Sequence, residues 1–140
     1  VDRLEVIKDV EKQIELVKPE TVVTHHSGDV NIDHRITHQA VVTACRPQPG
    51  QSVRRLLAFE VPSSTEWQPP DSAFPFRPNW FEDVSATFDR KLHALEIYAE
   101  EMRPWPHSRS LRAAEHLASW RGASVGCELA EAFVLMREIN

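Results

Sequence analysis

Four of the seven histidines of this chain fall between positions 25 and 38. His25, His26, His34 and His38 are interleaved there with Asp29, Asn31 and Asp33. Imidazole and carboxylate are the ligand types that zinc and related borderline divalent metals prefer. An imidazole also titrates near neutral pH, so it can pass a proton to or from a reacting group. The preceding run, Thr21-Val22-Val23-Thr24, is short and β-branched, the composition of a strand. Side chains just past the carboxyl end of such a strand stand where open α/β sheets form their ligand crevices.

The spacing distributes roles among these residues. With Asp33 as the cap of a following helix, His34 occupies the first turn, and Asp33 is the carboxylate expected to fix its tautomer. His34 and His38 are four apart on one helical face, a spacing at which two imidazoles can chelate one metal. Arg35 stands where the metalloprotease version of that spacing carries its general-base Glu. His38 is expected to pack behind the site rather than to bind. His25 and His26 end the strand, and alternation sends one to the crevice and the other to the core.

The elements that must position these groups read as follows. Leu4, Ile7, Val10, Ile14 and Val17 recur at helical steps and stop at Pro19. The strand Thr21 to Thr24 leads to a helix from Asp33 to about Arg46, ended by Pro47, Pro49 and Gly50. Val53 to Val61 reads as a second strand and Phe81 to Val84 as a third. Between them, Pro62 to Pro78 holds five of the ten prolines. That stretch is too long for a simple connection, so a functional loop or an oligomer contact is expected. Within it, Glu66 and Trp67 could line a sugar subsite or bury such a contact. Ser85 is expected to cap a long helix carrying Phe88, Leu92, Leu95, Tyr98 and Met102. Ser110 caps another from Leu111 to Trp120, and an apolar segment, Ala130 to Met136, follows. In the proline-stiffened loop before Ser110, His107 and Arg109 are candidate substrate contacts, Arg109 because a guanidinium binds a carboxylate or hydroxyls bidentately.

The bulk numbers narrow the classes. A chain of 140 residues fits one α/β domain, 1–140. A formal charge of −5 argues against nucleic acid as partner. No apolar run reaches the roughly 20 residues of a membrane helix, so no membrane partner and a cytoplasmic location are expected. Cys45 and Cys127 read as two reduced thiols. The chain opens on Val1 inside a helical pattern and is read as part of a longer polypeptide.

Thr24-His25-His26 with Gly28-Asp29-Val30-Asn31-Ile32-Asp33-His34-Arg35 resembles the second motif of the LmbE-like (PIG-L) zinc-dependent N-deacetylases. The resemblance continues, in order, through Cys45-Arg46-Pro47 and Phe59-Glu60-Val61-Pro62-Ser63-Ser64-Thr65-Glu66-Trp67. It extends through Met102-Arg103-Pro104-Trp105-Pro106-His107-Ser108-Arg109-Ser110, Arg121-Gly122 and Ala130-Glu131-Ala132-Phe133. It implies a Rossmann-like three-layer α/β/α fold, incomplete on its N-terminal side, and hydrolysis of an acetyl group from an N-acetylated amino sugar or glycoside.

By the same resemblance, His34 is a zinc ligand and Asp33 the carboxylate beside it. Beside it, the residues themselves offer His25, His26, Asn31 and Asp33 for catalytic roles, with His25 or His26 able to supply an imidazole where Asn31 lacks one, and Arg35, His107 and Arg109 for substrate contacts. Two departures stand out. The family's His-Pro-Asp-Asp-Glu segment, which brings two further ligands and the general base, does not occur before His25. Asn31 stands where many members carry a His; its amide can bond an oxyanion but cannot give up a proton. The expected partners are a small N-acetylated sugar and a second copy of the chain in a homo-oligomer. The alternatives are a non-catalytic binding or assembly module, and a different metal hydrolase using His34 with His38.

Overall fold

The computed structural model describes residues 2–69 and 74–140. Its elements are α1 (Arg3–Val17), β1 (Thr21–His25), α2 (Ile32–Ala44), β2 (Arg55–Phe59), β3 (Trp80–Asp83), α3 (Phe88–Ile97), α4 (Leu111–Ala123) and β4 (Ala130–Glu138). Among the described residues the strands form one mixed sheet in the order β1-β2-β4-β3. The α/β class expected from the sequence is the class observed. The residues fall into two compact units, Val1–Pro78 with Phe133–Asn140, and Asn79–Ala132. Among the described residues, no helix is long and apolar enough to cross a membrane.

The first unit is a β-α-β arrangement with a helix in front. Asp2 accepts from the Leu4 N–H at 3.0 Å and opens α1. Lys18 closes it in the left-handed region, with φ 49°, and Pro19 cannot continue it. α1 is only partly buried: Val10 and Ile14 pack on the core, whereas Leu4 and Val17 from the same apolar stripe stay exposed. β1 and β2 pair in parallel, Thr21 opposite Arg55 through His25 opposite Phe59. A parallel pair needs a crossover, and α2 is it. The core is Val41 and Cys45 from the α2 end, with Val53 and Leu56 around β2. β4 runs antiparallel to β2, with a register irregularity between Leu56 and Leu57.

Two boundaries move for physical reasons. The cap of α2 is Asn31, not Asp33: its side-chain oxygen accepts the N–H groups of Asp33 and His34 at 2.9 and 3.4 Å. α2 ends at Ala44 rather than Arg46, where Gln51 folds back to donate to the Ala44 carbonyl at 3.1 Å. Of the proline-rich stretch from Pro62 to Pro78, residues 70–73, Pro70 among them, lie outside the described residues.

In the second unit, Ser85 does not cap α3. Its hydroxyl donates to the Asp83 carboxylate at 2.6 Å and accepts the Leu129 N–H at 3.1 Å, and Thr87 takes the cap position without a side-chain bond. α3 ends at Ile97, short of Met102. Ser110 caps α4 as expected, accepting the Ala113 N–H at 3.0 Å. The apolar segment from Ala130 is strand β4.

Candidate functional site

The site is built by the turn between β1 and α2. The ladder extends one residue past the strand, with the His26 N–H donating to the Phe59 carbonyl at 3.1 Å. His26 is buried, 6% exposed. Its Nε2–H donates to the Phe74 carbonyl at 2.9 Å, and its ring meets Phe76 edge-on at 5.3 Å. A carbonyl can only accept, so Nε2 carries the proton. Gly28 passes under this bond. A Cβ there would lie 2.3 Å from the Phe74 oxygen and 3.0 Å from His26 Nε2, which leaves room for no other residue.

Asp29 follows, with 0% exposure. Its Oδ1 accepts the Asn31 N–H at 2.9 Å, an Asx turn that swings the chain into the Asn31 cap. Its Oδ2 lies 3.0 Å from His34 Nδ1. Two nested caps therefore start α2, and the second of them delivers His34 to the first turn with its ring held from behind. The Arg35 guanidinium braces the same turn, donating from Nη1 to the Asp29 and Val30 carbonyls at 2.9 and 3.2 Å. His38, one turn on, donates from Nδ1 to the His25 carbonyl at 2.8 Å and ties α2 to the strand end.

His25 lies against His34. The rings stack with centroids 4.2 Å apart and planes 22° apart, and Phe59 backs His25 at 4.8 Å. Burial, then the neighbouring His34 imidazole, holds the His25 pKa below the ordinary histidine value; Asp29 pulls the other way and His38 adds to the lowering. The His25 Nδ1 is buried with no hydrogen-bond partner.

A second segment closes on this turn. The Thr65 hydroxyl donates to Asp29 Oδ2 at 3.2 Å, and the Ser64 carbonyl accepts the Val30 N–H at 3.3 Å. Glu66, expected at a sugar subsite, accepts the Ser63 N–H at 2.6 Å, and Trp67 stands 53% exposed beside it.

Of the residues singled out in the sequence, the structure gathers His25, His26, Asn31, Asp33, His34, Arg35 and His38 at one turn. Asp33 is exposed in the first turn of α2, and the carboxylate on His34 is that of Asp29 instead. Asn31 has its oxygen committed to the helix N-terminus, leaving its amide N–H groups as donors. His107 and Arg109 belong to the second unit. There the Arg109 N–H donates to His107 Nδ1 at 3.0 Å, and its guanidinium pairs with Glu101 at 2.8 Å. Asp29 and Thr65 are the site residues that sequence reasoning missed. Asp29 was one of three acidic or amide residues in the turn, and only burial distinguishes it.

Fit to a metal follows from the tautomers. An ionised carboxylate is acceptor-only, so His34 Nδ1 carries the proton and a neutral ring keeps a bare lone pair on Nε2. A buried carboxylate behind a histidine is the usual support of a metal-binding imidazole. His25 does not converge on the same ion, because each lone pair lies in its own ring plane and the two planes are stacked. Among the described residues there is no group of three or more His, Cys, Asp or Glu side chains that could hold a metal. The described residues therefore fit one ligand position, that of His34.

No family model matches the sequence, and no curated protein matches it. Solved structures do match. The N,N′-diacetylchitobiose deacetylase of Pyrococcus horikoshii has a TM-score of 0.69 at 17% identity, over 97% of this chain and 52% of that one. The A40926 pseudoaglycone deacetylase has a TM-score of 0.66 at 18% identity, over 99% of this chain and 60% of that one. The 4-carboxy-2-hydroxymuconate hydratase GalB of Pseudomonas putida KT2440 has a TM-score of 0.70 at 20% identity, over 100% of this chain and 61% of that one. The chain thus spans 52% to 61% of the length of these three structures. At such identities the likeness is one of fold: the chain shares its α/β fold with two deacetylases and a hydratase.

Proposed function

We propose that this chain carries one wall of the active site of a zinc-dependent hydrolase that removes an acetyl group from an N-acetylated amino sugar or glycoside. One observation carries the reading: His34, in the first turn of α2, stacks on His25 at the carboxyl end of a parallel strand, its Nδ1–H held by the buried Asp29 and its Nε2 bare. The fold shared with two deacetylases supports it. His34 would hold the zinc, which when bound polarises a carbonyl and acidifies water towards neutral pH.

The chain's own residues would do the rest. Asp29 keeps the His34 ring in one tautomer. His25, stacked on His34, is the candidate proton carrier. Asp33 presents an exposed carboxylate, and the Asn31 amide can donate to a developing oxyanion. Arg35 keeps the turn in shape.

A second reading rests on the hydratase that shares the fold, and would have the same turn add water to an unsaturated acid. The two separate in one assay on the full-length protein. Acetate release from N,N′-diacetylchitobiose, lost in His34→Ala and on chelation, is the expected result. Water addition to 4-carboxy-2-hydroxymuconate without acetate release would establish the second reading. Neither activity would leave a binding or assembly module.

A further inference from the structure

Asp29 takes its donors from two segments that lie far apart in the chain. Oδ1 accepts from its own turn, at Asn31, whereas Oδ2 accepts both the His34 Nδ1–H and the hydroxyl of Thr65, thirty-six positions away. That hydroxyl cannot turn freely. It accepts the Val61 N–H at 2.7 Å, which directs its single proton towards Asp29. The peptide around it is also held. Ser63 adopts the left-handed region, φ 67°, with its N–H on Glu66; Ser64 is buried, and its carbonyl takes the Val30 N–H.

We infer that Thr65 is a positioning residue for His34: its hydroxyl fixes Asp29 Oδ2 and, through it, the Nδ1–H tautomer of the imidazole. Two donors on one oxygen and a third on the other define both the position and the plane of the carboxylate. A histidine in water prefers its proton on Nε2, so the Nδ1–H form with a bare Nε2 needs an acceptor held in place behind it. Without Thr65, the Oδ2 acceptor keeps His34 as its only donor and can rotate away. The Pro62–Trp67 segment thereby acts on His34 through Asp29. The inference rests on His34 acting through Nε2.

The test reads the tautomer directly, by ¹⁵N NMR of the imidazole nitrogens in metal-free protein. Wild type is expected to show His34 protonated at Nδ1. Thr65→Val, which keeps the shape and removes the hydroxyl, shifts the population towards Nε2–H, and Thr65→Ser restores the wild-type pattern. An Nε2–H tautomer in wild type, or an unchanged His34 signal in folded Thr65→Val, would overturn the inference. Should Thr65→Val fail to fold, Thr65→Cys, a weaker donor of similar size, must give an intermediate population, and a wild-type one would count against it. The tautomer is read without turnover, so absence of acetate release by wild type with the His34 tautomer intact would sink the proposed function and leave the inference standing.

Discussion

Asp29 Oδ2 and His34 Nδ1 lie 3.0 Å apart, with the carboxylate fully buried and the imidazole partly exposed. The arrangement has a buried acceptor behind and an open nitrogen in front, and its integrity depends on Asp29 having every donor supplied. Asp29→Ala removes the acceptor of Asn31, Thr65 and His34 at once. The expected cost is about 3 kcal/mol, the scale of breaking a buried hydrogen-bonded charge. Asp29→Asn keeps the volume and one acceptor oxygen and costs less. Urea denaturation measures both.

Asn31 performs a structural task that can be separated from any chemistry. Asn31→Ala leaves two N-terminal amides of α2 without their acceptor and is expected to cost about 1 kcal/mol, whereas Asn31→Asp and Asn31→Ser retain the cap. Hydrogen exchange at the Asp33 and His34 amides should accelerate in the alanine variant alone. If activity also falls in the serine variant at full stability, the Asn31 amide has a second role.

Gly28 is required by proximity rather than by backbone angle. Gly28→Ala puts a methyl group into the Phe74 carbonyl and against the His26 ring, and a cost of about 1–3 kcal/mol is expected from the overpacking. The His26 ring resonances should move with it, because the His26–Phe74 bond cannot survive unchanged. Unchanged stability with unmoved His26 signals would mean that the Phe74 backbone yields freely.

The two thiols should behave differently. Cys45 is fully buried, and burial pushes its pKa above the ordinary 9.0, with Arg137 opposing. As pH rises past that value the unfolded chain loses this proton first, so the folded state loses stability from there until the folded thiol ionises too. Below about pH 9 the group leaves the stability curve flat. Urea titrations at about pH 8 and about pH 10 should show this alkaline loss, smaller by one proton's share in Cys45→Ala. A thiol reagent should modify the partly exposed Cys127 in native protein and reach Cys45 only on unfolding.

Much of this was decided by the residues in order. The period of Val10 and Ile14, the β-branched run before His25, the breaks at Pro19 and Pro47 and the cap at Ser110 are local preferences, and each element formed where they pointed. The histidine-rich turn after a strand marked the candidate site for the same reason: strand, turn and helix start lie within eighteen consecutive residues, so their neighbourhood is written in sequence distance. Local rules failed where several residues could do one job. Asp29, Asn31 and Asp33 are all able caps and acceptors, and alternation alone does not say which one goes inside. Tertiary structure decided it, by burying Asp29 beneath a segment thirty-six positions away and leaving Asp33 in solvent. Ser85 shows the same at α3, where a good cap residue is taken up by Leu129 instead. Each outcome depends on which donors arrive from distant parts of the chain, and a buried acceptor goes where its donors can all be satisfied.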